Sequence, residues 1–399
     1  MKQRVVVTGT GAVTPLGVGS QTLITRWVAG ASGIEGGLGA CSEFEPRSML
    51  TKKEVKRSDR FTQLAIAAAQ EAVEAAGWSD ALPYPPERIG CVIGTGIGGL
   101  ATIEDQHTTL TDRGQQAMSA LCVPMMMSNA AAGAIAMRLG LRGPNWGVTS
   151  ACAAGAHAVG AAVRLVQTGE VDAIVTGGAE AALTPMALAG FARMGATSVT
   201  GISRPFDARR DGFVVGEGAG VLVLENGRAA RQRGADVLGE ILGYGATADA
   251  YHLTAPEPGG GGAARAIVQA LAEAGVAAED VDYVNAHGTS TPLNDRAETD
   301  ALKAALGEAA RRVPVSSLKS AIGHLLGAGG AVEAIATLLA LRRRIAPPTL
   351  NYEEPESGLD LDYVPNVARP LGARAGRRRI GISNSFGFGG HNAVLCMAA

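Results

Sequence analysis

The sequence predicts an α/β protein made of two halves with a similar pattern of elements. Short apolar runs typical of buried strands alternate with segments of helical periodicity along the whole chain. The same alternation starts again near residue 240, and no linker-like segment separates the two parts. Hydrophobic residues make up 47% of the 399 residues and 55 residues are glycine, as expected for a large, closely packed core.

We therefore expect an internal duplication packed as one body. The first half covers residues 1–239 and the second half covers residues 240–399. The two halves share little residue identity, so this prediction depends on the order of their elements.

The first half is expected to begin with a strand and to continue in strand–helix alternation. Ser20 is the predicted cap of a helix that runs to about residue 31, and Asp59 precedes a helix that ends at Gly77. A further helix is predicted over residues 129–139. Strands are predicted over residues 4–9, 89–93, 147–150 and 173–176, with a longer strand pair over residues 213–224.

The second half repeats this order of elements. Strands are predicted over residues 238–245, 281–285, 313–316, 379–383 and 393–397. Helices are predicted over residues 263–274, 295–306 and 325–341.

Composition excludes several classes of protein. The net charge of −2 provides no reason to expect a nucleic-acid partner. No apolar run approaches the roughly 18 residues that span a bilayer, and the first apolar stretch breaks at Thr8, as a strand does and a signal peptide does not. We therefore expect a cytoplasmic protein without a membrane partner. The cysteines lie far apart without a Cys-x-x-Cys pair, so neither a metal site nor a disulfide framework is predicted for Cys41, Cys91, Cys122, Cys152 and Cys396.

Cys152 is the candidate nucleophile. It follows the predicted strand 147–150, and small residues after it open a helix that Gly169 ends. This pattern places Cys152 in the first turn of a helix, where unpaired N–H groups and the helix dipole favour a thiolate. The ordinary alternative is that Cys152 is a small buried hydrophobic residue.

Residues 94–99 match the Gly-x-Gly-x-x-Gly fingerprint of dinucleotide-binding loops. That interpretation requires a helix that opens at once and an acidic residue about 20 positions later. Residues 102–111 are polar instead, so we interpret the segment as a glycine-rich turn, and a dehydrogenase is the weaker alternative. The methionines at 125–127 fit core filling, or the wall of a tunnel for flexible acyl chains.

Three stretches of the second half carry further chemical groups next to predicted strands. They are Asn-Ala-His-Gly-Thr-Ser-Thr-Pro over 285–292, with His287; Ser-Ser-Leu-Lys-Ser-Ala-Ile-Gly-His over 316–324, with Lys319 and His324; and Asn-Ser-Phe-Gly-Phe-Gly-Gly over 384–390. Each alone has an ordinary explanation as a structural histidine, a solvated lysine or a tight turn.

Together, one cysteine, two histidines, a lysine and a glycine-rich loop indicate covalent acyl transfer through sulfur. A cysteine protease would need one histidine with an orienting Asn or Asp. A second histidine that donates a hydrogen bond suits a reaction in which a second carbonyl carries negative charge, such as decarboxylation of a malonyl thioester to an enolate. Loss of one such donor typically costs about 3 kcal/mol of transition-state stabilisation.

These motifs resemble the β-ketoacyl-[acyl carrier protein] synthases, closest to the type II elongating condensing enzyme of bacterial fatty acid synthesis. The resemblance runs nearly from end to end and includes Gly-Leu-Arg-Gly-Pro at 140–144, Gly-Gly-Ala-Glu at 177–180 and Arg-Asp-Gly-Phe at 210–213. It implies a thiolase-like fold, in which two duplicated α/β halves form a five-layered α-β-α-β-α sandwich. It also implies decarboxylative condensation of an acyl group held on Cys152 with malonyl-[acyl carrier protein].

The resemblance implies a role for each matching catalytic residue. Cys152 would accept the acyl group, and the N–H groups of Cys152 and Phe388 would form the oxyanion hole, with Phe388 also gating the pocket. His287 and His324 would stabilise the enolate of the malonyl thioester. A supporting pair would be formed by Lys319 and Glu298.

The same resemblance implies the substrate contacts and partners. Thr289 and Thr291 would contact the phosphopantetheine arm, which carries the substrates, so that no bound cofactor is needed. The acyl pocket would be lined by Ile97, Met127 and Phe191. The expected partners are an acidic acyl carrier protein and a second copy of the chain, with a homodimer formed around the nucleophile region. Candidate carrier-docking residues are Lys52, Lys53, Lys56 and Arg57, although a solvated basic turn is an equal alternative.

Departures from the family pattern leave the acyl chain length and the pathway open. Leu318 stands where threonine is usual, Cys122 where an aromatic residue is frequent, and the segment 194–202 is shorter than in the usual elongating enzymes. An alternative is therefore a polyketide ketosynthase that forms a heterodimer with a chain-length subunit lacking the cysteine. A degradative thiolase would need a second catalytic cysteine in the loop where Phe388 lies, and Cys152 argues against a non-catalytic subunit.

Overall fold

The computed structural model describes residues 3–372 and 376–399. Strands and helices alternate through both halves of the chain. The strands are β1 (Val5–Thr14), β2 (Gly17–Val18), β3 (Ile89–Gly94), β4 (Asn145–Val148), β5 (Ala173–Glu180), β6 (Gly218–Asn226), β7 (Gly239–Ala248), β8 (Tyr283–Asn285), β9 (Val315–Ser316), β10 (Ile345–Ala346), β11 (Arg369–Pro370), β12 (Ile380–Gly387) and β13 (His391–Ala398).

The α-helices follow the same alternation. They are α1 (Ser20–Val28), α2 (Lys52–Lys56), α3 (Arg60–Ala75), α4 (Leu100–Arg113), α5 (Cys122–Met126), α6 (Ala130–Leu139), α7 (Ala154–Thr168), α8 (Pro185–Arg193), α9 (Gly227–Gln232), α10 (Gly261–Ala274), α11 (Pro292–Leu306), α12 (Lys319–Ile322) and α13 (Gly329–Arg343). Within the described ranges, none of them combines the length and apolarity needed to cross a membrane.

All the described strands except β10 and β11, which pair separately, form one large sheet whose two halves have the same internal order. With β2, β10 and β11 set aside, each half reads third, second, fourth, fifth and first strand from its outer edge: β4-β3-β5-β6-β1 and β9-β8-β12-β13-β7. Strand directions also agree, because the second strand of each half is parallel to the third and fourth. The fifth strand is antiparallel to the fourth and first. The duplication predicted from element order is thus confirmed by the sheet.

Helices form three layers around these two sheet halves. α3 and α6 cover the outer face of the first half, α10 and α11 cover the second, and α7 and α13 lie between them. α13 is buried at every position from Gly329 to Leu341, as expected for a helix between two sheets. The three largest apolar clusters each contain one of these helical layers. The predicted α-β-α-β-α sandwich is therefore confirmed.

The two central helices cross at glycines. A Cβ on Gly155 of α7 would lie 2.9 Å from a backbone nitrogen of α13, and a Cβ on Gly330 of α13 would lie 2.8 Å from a backbone nitrogen of α7. Both crossing points lie in the first turn of a helix, so the segments that precede α7 and α13 are brought together. These segments carry Cys152 and His324.

Six of the described α-helices were not expected, namely α2, α4, α5, α8, α9 and α12, of which α4 and α8 are the longest. α4 follows the glycine-rich turn directly, and only Leu100 and Thr102 of it are buried, so its polar composition is that of a solvent-exposed helix. α8 begins with Pro185 at its first position, and the Thr184 side chain accepts from a backbone N–H of the first turn. A Thr-Pro pair at a helix start is a readable signal that the sequence analysis did not use.

The strand pair predicted over residues 213–224 is a single strand, β6, that begins at Gly218. Phe213 and Val215 instead form isolated bridges with Thr197 and His324. These residues are apolar because they are buried beside the site, and not because they pair within the sheet.

Candidate active site

Cys152 lies in the turn between β4 and α7. Because α7 begins at Ala154 with Ala153 as its N-cap, Cys152 precedes the helix, which corrects its predicted place in the first turn. Ala151 has a φ of 49°, a conformation that residues other than glycine seldom adopt. Such strain is typical of functional turns, and here the Cys152 side chain forms part of a cavity wall with 8% of its surface exposed.

The resting sulfur of Cys152 is a thiol. Burial raises the pKa of Cys152 to about 11, while the charge of Lys319 and the backbone N–H of Phe388 lower it. Burial therefore opposes the predicted stabilisation of a thiolate by the helix N-terminus.

Two backbone N–H groups converge on this sulfur. The N–H groups of Phe388 and Cys152 both lower the pKa of the Cys152 thiol. Phe388 lies in the turn between β12 and β13, and a Cβ on the preceding Gly387 would be 3.1 Å from the backbone nitrogen of Cys152. The close approach of this turn to the nucleophile therefore leaves little room for a side chain at 387. Paired N–H groups at this position have the arrangement of an oxyanion hole.

His287 and His324 lie on the same cavity as Cys152. His287 follows β8 and His324 follows α12. Their ring centroids are 5.4 Å apart with an interplanar angle of 84°, and each histidine is 3% exposed. The fold thus brings together three residues from three separate segments of the sequence.

Both imidazoles have an occupied Nδ1 atom. Lys319 Nζ donates to Nδ1 of His287 at 3.3 Å, and the N–H of Leu326 donates to Nδ1 of His324 at 3.2 Å. A neutral imidazole that accepts at Nδ1 carries its proton on Nε2. Burial lowers the pKa of both histidines well below the ordinary value, and the Lys319 charge lowers it further. Each ring is therefore a neutral hydrogen-bond donor through Nε2.

Lys319 forms a buried ion pair with Glu333 of α13. This pairing corrects the predicted pair of Lys319 and Glu298. Glu298 instead accepts from the backbone N–H groups of His287 and Gly288 at 2.8 and 2.7 Å. Burial raises the pKa of Glu298 and of Glu333 to about 7. Glu298 thus holds the backbone at His287, while Glu333 holds the lysine that orients its ring.

The cavity around these groups has a volume of about 630 Å³. Several residues predicted to contact substrate line it together with the catalytic candidates, namely Ile97, Phe191, Thr289 and Thr291. The hydroxyls of Thr289 and Thr291 are 2.9 Å apart. Met127 is 44% exposed and is not among the described residues that line the cavity, so its place in the pocket wall stays a prediction.

The sequence analysis missed other residues of the cavity wall. Phe213 packs edge-on against both Phe191 and His324, with centroid distances of 5.5 and 5.2 Å. Leu326 and Phe386 also line the cavity. An aromatic residue directly after Arg-Asp-Gly was the available signal for Phe213, since it opens a short apolar run after a polar segment.

The glycine-rich turn at residues 95–98 is occupied by a carboxylate of the chain itself. Glu180, at the end of β5, accepts from the N–H groups of Gly96 and Ile97 at 2.6 and 3.2 Å. In a dinucleotide-binding loop such donors face a pyrophosphate. The interpretation of this segment as a tight turn is confirmed, and the basis for a dehydrogenase is removed.

One side of the first half presents an unpaired strand edge and exposed apolar side chains. β4 is the edge strand of the described sheet, and Trp146 on it is 38% exposed. Neighbouring elements α4, α5, α6 and α8 add further exposed apolar residues, which are Ile103, Leu110, Val123, Met127, Met137 and Met186. Apolar surface of this extent, next to an open edge, is typical of an interface.

The predicted carrier-docking residues lie on and just after α2. All four are solvent-exposed: Lys52, Lys53, Lys56 and Arg57. Glu54 of the same helix forms a capping box with Thr51 and an ion pair with Arg138. The helix therefore presents a mainly basic surface.

The chain matches two family models, described as β-ketoacyl synthase, N-terminal domain, over residues 2–230 and β-ketoacyl synthase, C-terminal domain, over residues 238–353. It is 47% identical to the 3-oxoacyl-[acyl-carrier-protein] synthase 2 of Synechocystis sp. over 416 residues, which cover 99% of this chain and 97% of the relative.

Solved structures of similar architecture cover the whole chain. A chain from a complex between a type II polyketide synthase acyl-carrier protein and its ketosynthase aligns with a TM-score of 0.91 at 31% identity, over 100% of both chains. A chain from the ishigamide ketosynthase/chain length factor also aligns with a TM-score of 0.91, at 35% identity and over 100% of both chains.

Proposed function

The chain belongs to the β-ketoacyl synthase family, and on this premise we propose that it catalyses the decarboxylative Claisen condensation of an acyl group with malonyl-[acyl carrier protein]. The products are β-ketoacyl-[acyl carrier protein], carbon dioxide and free carrier protein. One observation carries the proposal: two neutral imidazole donors share a cavity with the Cys152 sulfur and with the turn that carries Phe388.

In the first half-reaction, the sulfur of Cys152 attacks the carbonyl carbon of an acyl thioester. A C–S bond forms to Cys152, the bond to the pantetheine sulfur of the carrier breaks, and the proton of the Cys152 thiol ends on the released pantetheine sulfur. The N–H groups of Cys152 and Phe388 stabilise the negative oxygen of the tetrahedral intermediate, because both act on the region around the Cys152 sulfur, as their effect on its pKa indicates.

In the second half-reaction, the malonyl thioester carbonyl accepts from Nε2 of His287 and Nε2 of His324. Loss of the carboxylate as carbon dioxide leaves the electron pair on an enolate, whose oxygen these neutral donors stabilise. The enolate carbon attacks the acyl carbonyl on Cys152, so that a C–C bond forms and the C–S bond breaks. The Cys152 thiolate is released and takes up a proton.

Lys319 and Glu333 support this chemistry without contact to the reacting atoms. The ammonium of Lys319 keeps Nδ1 of His287 occupied, and the carboxylate of Glu333 keeps the ammonium in place. Because the Lys319 ammonium and the Glu333 carboxylate are buried together, their attraction offsets part of the free-energy cost of burying a cation beside two histidines.

We propose that the substrates arrive on the phosphopantetheine arm of an acidic acyl carrier protein and that no other cofactor is required. Thr289 and Thr291 are placed on the cavity wall to contact the arm. The exposed basic surface at Lys52, Lys53, Lys56 and Arg57 supports docking of an acidic partner. The solved complex of a similar ketosynthase with its acyl-carrier protein supports the same partner class.

We further propose a homodimer in the cytoplasm. Antiparallel pairing of β4 with β4 of a second copy would cover the open sheet edge, and the exposed apolar residues around it would be buried by the same two-fold contact. Thr149, which follows β4, is exposed in the single chain, so the interface would lie beside the nucleophile turn.

A ketosynthase subunit of a type II polyketide synthase is the second candidate function. Of the two solved structures described above, one comes from a type II polyketide synthase and the other from a ketosynthase/chain length factor. The 47% identity to a 3-oxoacyl-[acyl-carrier-protein] synthase 2 favours fatty acid elongation.

The test is acyl transfer to Cys152, followed by condensation. The purified chain is incubated with acyl-loaded carrier proteins of several chain lengths and weighed by intact mass spectrometry, and malonyl carrier protein is then added. We expect one acyl group per chain on the wild type and on Cys122→Ala, none on Cys152→Ala, and release of the adduct as β-ketoacyl carrier protein. Absence of an adduct with every donor would overturn the proposal.

A further inference from the structure

Glu180 is a buried carboxylate that the proposed reaction does not use. It ends β5, is 0% exposed, and burial raises its pKa. Its recorded contacts are hydrogen bonds to N–H and O–H donors, with no cationic side chain among them. Burial of a carboxylate without a cation beside it costs free energy. The groups that surround Glu180 therefore indicate its role.

The carboxylate joins two turns that approach each other closely. Oε2 accepts from the N–H of Gly96 at 2.6 Å and from the N–H of Gly327 at 3.0 Å. A Cβ on Gly327 would lie 2.1 Å from the backbone nitrogen of Gly96, so glycine is required at 327. Oε1 accepts from the hydroxyl of Thr95 at 2.8 Å and the N–H of Ile97 at 3.2 Å.

Each of these turns carries one wall of the cavity. The turn at 95–98 presents Ile97 on the acyl side. The turn at 325–328 presents Leu326, whose N–H donates to Nδ1 of His324. Leu326 has a φ of 48°, and a leucine is held in this conformation only when the surrounding contacts enforce it.

We propose that Glu180 is a positioning residue that couples the acyl-side wall at Ile97 to the proton position of His324. Its two oxygens hold both turns at once, so displacement of one turn displaces the other. Loss of the carboxylate would free the turn at 325–328, weaken the hydrogen bond to Nδ1 of His324, and allow the ring to carry its proton on the wrong nitrogen. This inference rests on the proposed condensing function.

The test compares Glu180→Gln with Glu225→Gln. Glu225 is a matched control, because it is equally buried on the adjacent strand β6 and its partners Thr8, Tyr84 and Arg233 do not line the cavity. Three quantities are measured for each variant: the rate of Cys152 acylation across acyl chain lengths, the rate of malonyl-thioester decarboxylation, and the ¹⁵N shifts of the His324 ring.

We expect Glu180→Gln to lower decarboxylation roughly 10- to 100-fold, since misplacement of about 1 Å is enough for such a loss. The ¹⁵N shifts of His324 should show loss of the Nε2–H tautomer, and the preferred acyl length should change. Glu225→Gln should alter none of these three quantities. Wild-type tautomer and decarboxylation in a folded Glu180→Gln would overturn the inference.

If Glu180→Gln does not fold, a less disruptive substitution at Thr95 tests the same inference. Thr95→Val removes one donor to Glu180, and Thr95→Ser retains it. We expect Thr95→Val to change both the acyl-length profile and the His324 shifts, and Thr95→Ser to change neither. A change in the acyl-length profile alone would refute the coupling. If the wild type itself accepts no acyl group, the proposed function fails, and that result is distinct from either outcome above.

Discussion

The backbone N–H of Leu326 donates to Nδ1 of His324 at 3.2 Å, and this single contact decides which imidazole nitrogen faces the substrate. Because a backbone N–H can only donate, Nδ1 of His324 must be unprotonated whenever the bond is made. The ring then presents Nε2–H. The main-chain N–H of Leu326, two residues after His324, thus determines which nitrogen of the His324 ring carries the proton.

Replacement of His324 should separate the two half-reactions. In His324→Ala, loss of one enolate donor should lower malonyl decarboxylation about 100-fold, corresponding to roughly 3 kcal/mol, while Cys152 should still accept an acyl group. Decarboxylation is measured by release of carbon dioxide and acylation by intact mass. His107→Ala, an exposed histidine on α4, is the control. Equal losses in both half-reactions would contradict the assignment of His324 to the enolate.

Removal of one member of the Lys319–Glu333 pair should destabilise the fold more than removal of both. Lys319→Met leaves the Glu333 carboxylate buried without its cation, and we expect a loss of about 3–5 kcal/mol in the free energy of unfolding. Lys319→Met combined with Glu333→Leu should recover at least half of this loss, since neither buried charge remains. Urea unfolding measures both variants, with Lys303→Met as a control in a partly exposed ion pair. A double variant less stable than Lys319→Met would contradict this account.

The reactivity of Cys152 toward iodoacetamide should rise with pH without a plateau below pH 9. Burial raises the pKa of Cys152 to about 11, so the reactive thiolate is scarce at neutral pH and increases as pH approaches that value. Since the Lys319 charge lowers this pKa, Lys319→Met should raise it and slow alkylation at every pH tested.

Alkylation is followed by intact mass, with Cys152→Ala to subtract the remaining cysteines. A plateau near pH 7 would show that the resting sulfur is already a thiolate and would contradict the assignment of a thiol.

Disruption of the β4 edge should yield a monomer. Trp146→Arg places a charge among the exposed apolar residues beside this edge, and we expect the mass in solution to fall from two chains to one. Light scattering after gel filtration measures the mass. Val367→Arg is the control, because Val367 is 73% exposed but lies on a segment far along the chain from β4. A dimer that persists in Trp146→Arg would place the interface elsewhere.

Much of the site is readable from the sequence because its residues lie in short, distinctive segments. Cys152, His287 and Lys319 each follow a strand pattern and precede small residues, and His324 ends the same short segment as Lys319. Glu333 was missed because its partner lies on another element. The available signal was a lone acid inside the apolar helix α13, which is buried at every position from Gly329 to Leu341.

The ionisation of Cys152 could not be predicted from the sequence for a physical reason. A helix start indicates a favourable dipole, but the penalty for burying a thiolate depends on which segments fold over it, here the turn that carries Phe388. Met127 illustrates the same limit, because whether a residue lies on a cavity wall or an outer surface depends on packing between distant elements.

The repeated strand order gives each half of the chain the same set of positions, and the two copies have diverged in what they hold there. The segment after the third strand carries Cys152 in one copy and His324 in the other. After the second strand, one copy has the glycine turn of Ile97 and the other has His287. At the end of the fourth strand lie Glu180 in one and the turn of Phe388 in the other. A symmetric scaffold thus carries an asymmetric reaction, in which one copy holds the acyl group and the other activates the carbon that attacks it.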